Sequence, residues 1–447
     1  MTSMRILFAA ALFVTLGSHA RAGEKRLREA ARRFIREGDH DALVEVRRAR
    51  NAAWPVLEAI ASAGRRFPSA PTGRLSREAA LTHDPDFSVR YELFVPPDYD
   101  PATPHPLLLY VHGTYNTGAT GMRRILPGFR ESGWIVLCPS SEIRDRGWTF
   151  TAYERNMQLD ALRDVQKRYN VDPQRIYLCG YSRGGHASWD LPLRRPGVFA
   201  ASCPMAGGPR IRNIRFLPNL AHTRLRAEYG ALDEKGLVWC VRKALETMKA
   251  LDIPCTAVEH PDRGHQFPID AEAIRAWLEP LRRERLPRRI TCACSDPSEG
   301  RSFWIRLDRL ETTRAELPAA GRGRLVLGGE EVEVVLRGVP IPRGFRDRPD
   351  EARWAYFVEK ADAYKAWVEA EVEEGNVVRA RTKNVRTFTI LVSKALFDLE
   401  KPITVHVNGK RVLRRRVSPS PEYALRFLAR SPDWTTLYVD ELSVHVR

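Results

Sequence analysis

Ile176-Tyr-Leu-Cys-Gly180-Tyr-Ser182-Arg-Gly184-Gly-His186 decides how this chain is read. An apolar run rich in β-formers ends at a G-x-S-x-G, and Gly185 to Leu193 then continues with helical spacing. Strand, tight turn and helix together are what a serine nucleophile requires. A strained elbow lifts the hydroxyl above the carboxyl edge of a sheet and aims a helix N-terminus at charge developing on a substrate oxygen. Small residues on both sides let the chain bend sharply and pass its neighbours at close range. A bare G-x-S-x-G recurs by chance; the flanking strand and helix give this one its meaning.

Outward from the elbow, short β-rich runs alternate with helical stretches. The runs are Val89–Phe94, Leu107–Val111, Trp134–Cys138, Arg175–Cys179, Ala200–Met205, Arg224–Tyr229 and Cys255–Val258. Helical spacing covers Asn156–Tyr169, Gly185–Leu193, Gly236–Leu251 and Ala271–Arg283. That alternation predicts an α/β fold with a mostly parallel sheet and flanking helices over 88–286. Beyond Pro287 the period changes to that of strands, at Ser302–Leu307, Val385–Ser393 and Ile403–Val407. Asn408-Gly409 reads as a two-residue hairpin turn leading into Lys410–Leu413, and a phase change at Asp440-Glu441 in Leu437–Val446 reads as a bulge. Glu351 to Ala363 reads as an inserted helix. A mainly β, sandwich-like accessory domain over 287–447 is expected, detachable from the α/β region.

The N-terminal side carries an address. Arg5 precedes an apolar run from Ile6 to Gly17, and Ala20-Arg21-Ala22 offers the small residues of a cleavage site. Residues 1–22 are therefore read as a signal peptide, too short to span a bilayer, and the mature protein as secreted or periplasmic without stable membrane insertion. Residues 23–87 read as a helical segment, two helices with the second interrupted near Pro55, followed by a linker from Pro68 to Pro85.

Composition excludes several classes. With 43% hydrophobic residues in 447, the chain has ample material for a core, so disorder and polytopic membrane insertion are set aside. The formal charge of +17 falls to +15 when Arg5 and Arg21 leave with the signal peptide. The arginines are spread along the chain without interleaved aromatics, so no nucleic-acid partner is expected, and a loosely attractive face for acidic polymers is. Seven cysteines form no recognisable disulfide framework, and Cys138, Cys179 and Cys203 each lie in a core-strand run. No Cys/His spacing suggests zinc, and neither a metal nor an organic cofactor is called for.

The remaining chemistry follows from chain order. Leu107-Leu-Leu-Tyr-Val-His112-Gly113-Thr114-Tyr115 is a strand ending where an oxyanion loop belongs, so the backbone N–H of Thr114 or Tyr115, with that of Arg183, are the candidate donors. His112 is read as shaping that loop and His186 as a helix residue beside the elbow. A triad on this fold runs Ser, acid, His. After Ser182 the acid candidates are Asp233, placed first, with Glu234 and Asp262 behind it. The base is His265 at a loop tip; His260 reads as the end of a strand, and His222 precedes the acid.

Val171-Asp-Pro-Gln-Arg-Ile-Tyr-Leu-Cys-Gly-Tyr-Ser-Arg-Gly-Gly-His-Ala-Ser-Trp189, with Phe199-Ala-Ala and Met205-Ala-Gly-Gly208, resembles the secreted α/β-hydrolases. It is most similar to the branch of polyhydroxybutyrate depolymerases, feruloyl and acetylxylan esterases and dienelactone-hydrolase-like enzymes. Tyr91-Glu-Leu-Phe-Val-Pro96-Pro97-Asp98-Tyr99 and Gly264-His265 extend the likeness over roughly 88–286. The resemblance implies a serine esterase acting through an acyl-enzyme on a small-molecule or polysaccharide ester. Arg183 departs from it, standing where such enzymes often carry an apolar or small residue. The same fold also serves prolyl-oligopeptidase-type peptidases and inactive binding proteins. Tyr115, Trp148, Tyr153 and Tyr181 are read either as stacking surfaces for a sugar or ferulate ring or as lid packing.

Overall fold

A computed structural model describes residues 22–446 except 142–147, 149, 312–319, 328–329, 338–341, 350, 354, 357–358 and 360–364. The expected signal peptide therefore lies outside the described residues save Ala22, which opens a helix over 22–37. By contact the chain forms two compact units. The first holds the described residues up to Arg65 with Leu391–Ile403 and Arg414–Leu442; the second holds the rest.

The second unit is built on an eight-stranded sheet: β1 (Gly73–Ala80), β2 (Ser88–Val95), β3 (His105–Val111), β4 (Ile135–Pro139), β5 (Val171–Tyr181), β6 (Ala201–Met205), β7 (Arg224–Gly230) and β8 (Cys255–His260). Spatial order is β1-β2-β4-β3-β5-β6-β7-β8. β1 and β2 run antiparallel to each other, β2 is antiparallel to β4, and the remaining pairs are parallel. β3 is buried at every position, as a central parallel strand covered on both faces must be. Its residues divide by the period of two. Leu107, Leu109 and Val111 join Leu162 and Val165 in one apolar layer, while Leu108 and Tyr110 join Met122, Ile125, Ile274 and Leu278 in the opposite one.

Several elements differ from expectation, each for a local reason. β1 lies inside the stretch read as a linker; its sequence, Gly-Arg-Leu-Ser-Arg-Glu-Ala-Ala, has no β-branched residue, and only Ala79 is buried. The helix read to Arg283 ends at Leu278, because Pro280 offers no N–H to continue it. The final strand begins at Asp440 rather than Leu437, so the phase change marks where the strand starts. Of the helix expected over Glu351–Ala363, positions 351–353, 355–356 and 359 are helical and the others lie outside the described residues.

Beyond residue 287 the chain forms two more sheets and a ribbon. A five-stranded sheet has Arg289–Cys294 at one edge and the hairpin Ile403–Val407/Lys410–Arg415 at the other. Asn408 and Gly409 both have positive φ, 49° and 83°, as a type I′ turn demands. A four-stranded sheet includes Ile305–Leu310 and Val385–Val392, and Ala320–Leu327 pairs with Glu330–Arg337. Asn219 ties the first of these sheets to the α/β region by standing in for a strand residue. Its amide donates to the Ala293 carbonyl and accepts from the Ala293 N–H, both at 2.8 Å.

The first unit is helical. Helices 22–37, His40–Ala49 and Trp54–Ala63 replace the two expected, with breaks at Gly38-Asp39 and over the 3-10 turn Arg50–Ala53. Pro55 falls in the first turn of the last helix, where its missing N–H costs nothing. Leu43, Val46, Leu57 and Ile60 form one core with Leu425, Leu428 and Trp434 near the other end of the chain.

Candidate active site

Every functional side chain sits on a turn at the carboxyl edge of the sheet. Register makes this so: Val111 of β3 lies opposite Gly180 of β5, Tyr181 opposite Met205 of β6, and Gly230 of β7 opposite His260 of β8. The segments after these strands therefore converge. They carry His112–Tyr115, Ser182, Met205–Gly208, Asp233 and His265.

Ser182 stands between β5 and the helix Arg183–Arg194, at φ 57° and ψ −117°. Positive φ is strained for a residue with a side chain, and the neighbours hold it there. The Ser182 N–H donates to the Met205 carbonyl at 2.8 Å, and its own carbonyl accepts from His186 at 3.0 Å. The elbow packs so tightly that a methyl group on Gly184 would lie 1.9 Å from the Val111 carbonyl oxygen.

The Ser182 Oγ lies 2.8 Å from His265 Nε2. His265 Nδ1 lies 2.9 Å from Asp233 Oδ2 and 3.2 Å from Oδ1. Facing a carboxylate, Nδ1 carries the proton and donates it, which leaves the Nε2 lone pair for the serine hydroxyl. The hydrogen bond to Asp233 raises the His265 pKa above its ordinary value, against partial burial acting the other way. Asp233 is itself buried, and its Oδ1 accepts the Glu234 N–H at 2.8 Å. Of the other acid candidates, Glu234 is exposed at the head of the next helix and Asp262 is exposed in the loop before His265.

The other histidines have separate tasks. His112 is buried; its Nε2 accepts the Ser141 N–H at 3.1 Å, so Nδ1 must be the donor to the Gly113 carbonyl at 2.7 Å. Burial lowers its pKa, and the neutral ring fastens the turn that bears Thr114 and Tyr115. Trp148 braces the same turn by donating to the His112 carbonyl at 3.1 Å. Burial pushes His186 down to about 4, and its Nδ1 meets the Gly208 carbonyl at 2.6 Å. His260 stacks on Phe267, with ring centres 4.3 Å apart. His222 meets the Arg289 carbonyl at 2.9 Å.

The candidate donors stand on the two segments beside Ser182. Arg183 opens its helix, and Tyr115 adopts φ 61° in a turn closed by the Asn116 N–H to the Gly113 carbonyl. A methyl group on Gly113 would come 3.3 Å from the Ser182 Cβ, so the turn passes directly beside the nucleophile.

Two features escape a reading of the sequence. Tyr181 is buried, donates its hydroxyl to the His265 carbonyl at 2.6 Å and accepts the Phe267 N–H at 3.3 Å. It anchors the histidine loop and offers no face for a sugar. Its place before the nucleophile, and the need of a buried tyrosine hydroxyl for a partner, were the available signals. Among the four aromatics read as stacking surfaces or packing, Trp148 is also buried, Tyr153 packs edge-on to His83, and Tyr115 is 80% exposed. The second feature is Phe150, at φ 63°, with the guanidinium groups of Arg183 and Arg210 over its ring.

Among the described residues no cluster of His, Cys, Asp and Glu could hold a metal ion. All seven cysteines are free thiols. No described helix is long and apolar enough to cross a membrane.

Sheet order, the elbow between β5 and its helix, and acid and histidine on the turns after β7 and β8 define an α/β-hydrolase fold. No protein-family profile and no curated protein matches the chain. Solved structures that align with it include a thermostable esterase, 19% identical, over 47% of this chain and 63% of that one at a TM-score of 0.37. An S-formylglutathione hydrolase from Staphylococcus aureus aligns at 15% identity over 47% and 98% of the two chains, TM-score 0.39. A putative dipeptidyl aminopeptidase IV from Bacteroides ovatus aligns at 19% identity over 49% and 36%, TM-score 0.39.

Proposed function

We propose that this protein is an exported serine hydrolase that cleaves carboxylic esters through an acyl-enzyme on Ser182. The observation that carries the reading is the continuous chain from Ser182 Oγ to His265 Nε2 at 2.8 Å and from His265 Nδ1 to Asp233 at 2.9 Å. In the first half-reaction the Ser182 oxygen attacks the ester carbonyl while its proton passes to His265 Nε2. The carbonyl electrons move onto oxygen, and the backbone N–H groups of Arg183 and of Tyr115 or Thr114 receive that charge, each donor worth roughly 3 kcal/mol. Collapse of the tetrahedral adduct breaks the bond to the alcohol, which leaves with the proton from His265. Water then repeats the sequence on the acyl-serine, and Ser182 is restored. Asp233 holds the imidazole in the required tautomer and stabilises its cation.

Export rests on the leader read in residues 1–22, and N-terminal sequencing of the protein from the extracytoplasmic fraction checks it. For an exported basic hydrolase, an acylated or feruloylated polysaccharide is the substrate class placed first. Two measurements test the activity. A fluorophosphonate should label the wild type stoichiometrically and leave Ser182→Ala unlabelled; persistent labelling of the variant would sink the nucleophile. Short-chain p-nitrophenyl esters should be turned over and matched aminoacyl anilides should not. The reverse preference would make the protein a peptidase, and inertness to esters, anilides and the probe would make it a binding protein.

A further inference from the structure

Two arginines share an aromatic ring beside the elbow. Arg183 directly follows Ser182, and its guanidinium carbon lies 5.3 Å from the centre of the Phe150 ring. That of Arg210 lies 4.4 Å from the same ring, so the two share one aromatic platform. The ring also meets His186 edge-on at 6.1 Å, and the His186 N–H is bonded to the Ser182 carbonyl. The platform is thus built against the elbow itself. Both arginines press on the His186 imidazole as like charges, which with burial keeps that ring neutral. The Arg183 Nε is buried without a hydrogen-bond partner among the described residues.

Among the described residues no carboxylate forms an ion pair with Arg183, so its charge faces the ring alone. A substrate anion that reaches the Arg183 guanidinium, with Arg210 over the same ring, would supply that partner. Arg is suited to the task, since its planar fork matches a carboxylate and stacks on an aromatic ring in one arrangement. The net positive charge, +15 once Arg5 and Arg21 have left with the leader, adds long-range attraction of the same sign.

We propose that Arg183 and Arg210 select an ester that carries an anionic group beside its scissile bond. This inference deepens the esterase reading and rests on it. Recognition is by charge and bidentate geometry, on either the acyl or the alcohol side, and it disfavours substrates with a free ammonium group near the bond.

Two matched pairs test it: 4-nitrophenyl hydrogen adipate against 4-nitrophenyl hexanoate, and 4-acetoxybenzoate against 4-acetoxybenzamide. At low ionic strength the wild type should favour the anionic member of one pair by about tenfold or more in kcat/KM, after correction for the buffer-catalysed rates. Arg183→Gln and Arg210→Gln should each bring that ratio towards one, as should added salt. Ratios near or below one in both pairs, with the neutral esters still turned over through Ser182, overturn the inference and leave the esterase reading in place. A wild-type preference that neither substitution changes overturns it as well. If none of the four esters is hydrolysed and the serine probe does not react, the esterase reading itself has failed.

Discussion

His265 lies between a buried acid and a hydroxyl, so in the proposed reaction its charge state controls the chemistry. The hydrogen bond to Asp233 raises its pKa above the ordinary imidazole value. The neutral ring is the competent base, and a raised pKa means that protonation sets in at higher pH. The acidic limb of kcat/KM should therefore fall above pH ~6.5, with activity lost as pH drops through it. Asp233→Asn removes the charge that favours the cation; the limb should move down while kcat falls by roughly 10⁴-fold, measured on an aryl ester. Full activity in Asp233→Asn would reassign the acid. Tyr181 acts one step removed, as a positioning residue. Tyr181→Phe deletes the donor to the His265 carbonyl and the acceptor for Phe267, so kcat should fall about tenfold with KM nearly unchanged. An equal loss in kcat and in thermal stability, with KM raised, would mark the tyrosine as merely structural.

At the scale of elements, the helix after the elbow is fixed from below by buried charges. Arg155 donates to Asp190 at 2.8 Å and to Glu299, and Arg194 meets Glu299 at 3.1 Å and Asn213 at 2.9 Å. Asp190 and Arg194 lie on the elbow helix, Arg155 on the helix Ala152–Arg168, and Glu299 in the short turn Pro297–Glu299. Removing one member of such a cluster leaves opposite charges buried and unpaired. Glu299→Gln, nearly isosteric, should destabilise the second unit by about 3–5 kcal/mol. Urea unfolding followed by tryptophan fluorescence measures this; a loss below about 1 kcal/mol would mean that water reaches the arginines freely.

For the whole molecule, the sequence-based boundary between about Pro287 and Arg301 is a proposal that limited proteolysis can address. Its motivation is the change of period there. Ala293 and Glu299 lie beyond Pro287, yet they bond to Asn219, Arg155 and Arg194 of the α/β region within one compact unit. A cut in this stretch should give a hydrolase fragment and a β fragment that co-elute on gel filtration until denaturant is added. Fragments that part under native conditions would show that these links contribute little to holding them. The first unit should respond separately: Leu425→Ala empties a site in the helical core and should cost about 2–5 kcal/mol there, read as a shifted calorimetric transition. Ester turnover by that variant at low temperature checks whether the loss stays local.

Local order was legible in the residues alone. The elbow announces itself because one strained turn needs small neighbours in fixed positions, and the parallel strands because doubly covered strands read as continuous apolar runs. Ser182, Asp233 and His265 were named from their order and from strand ends, which is chemistry that a single chain direction imposes. β1 was not legible, since it takes its place from pairing with β2 and carries little apolar signal of its own. Tyr181 likewise acquires its role from a loop 84 positions away in the chain. Nor could Arg183 and Arg210 be paired beforehand, because their shared ring belongs to Phe150, on another segment. The helical core that joins Leu57 to Leu425 is the plainest case. Periodicity tells which face of a helix is apolar, but the partner that covers that face is chosen by packing across the whole chain, and only the tertiary structure decides it.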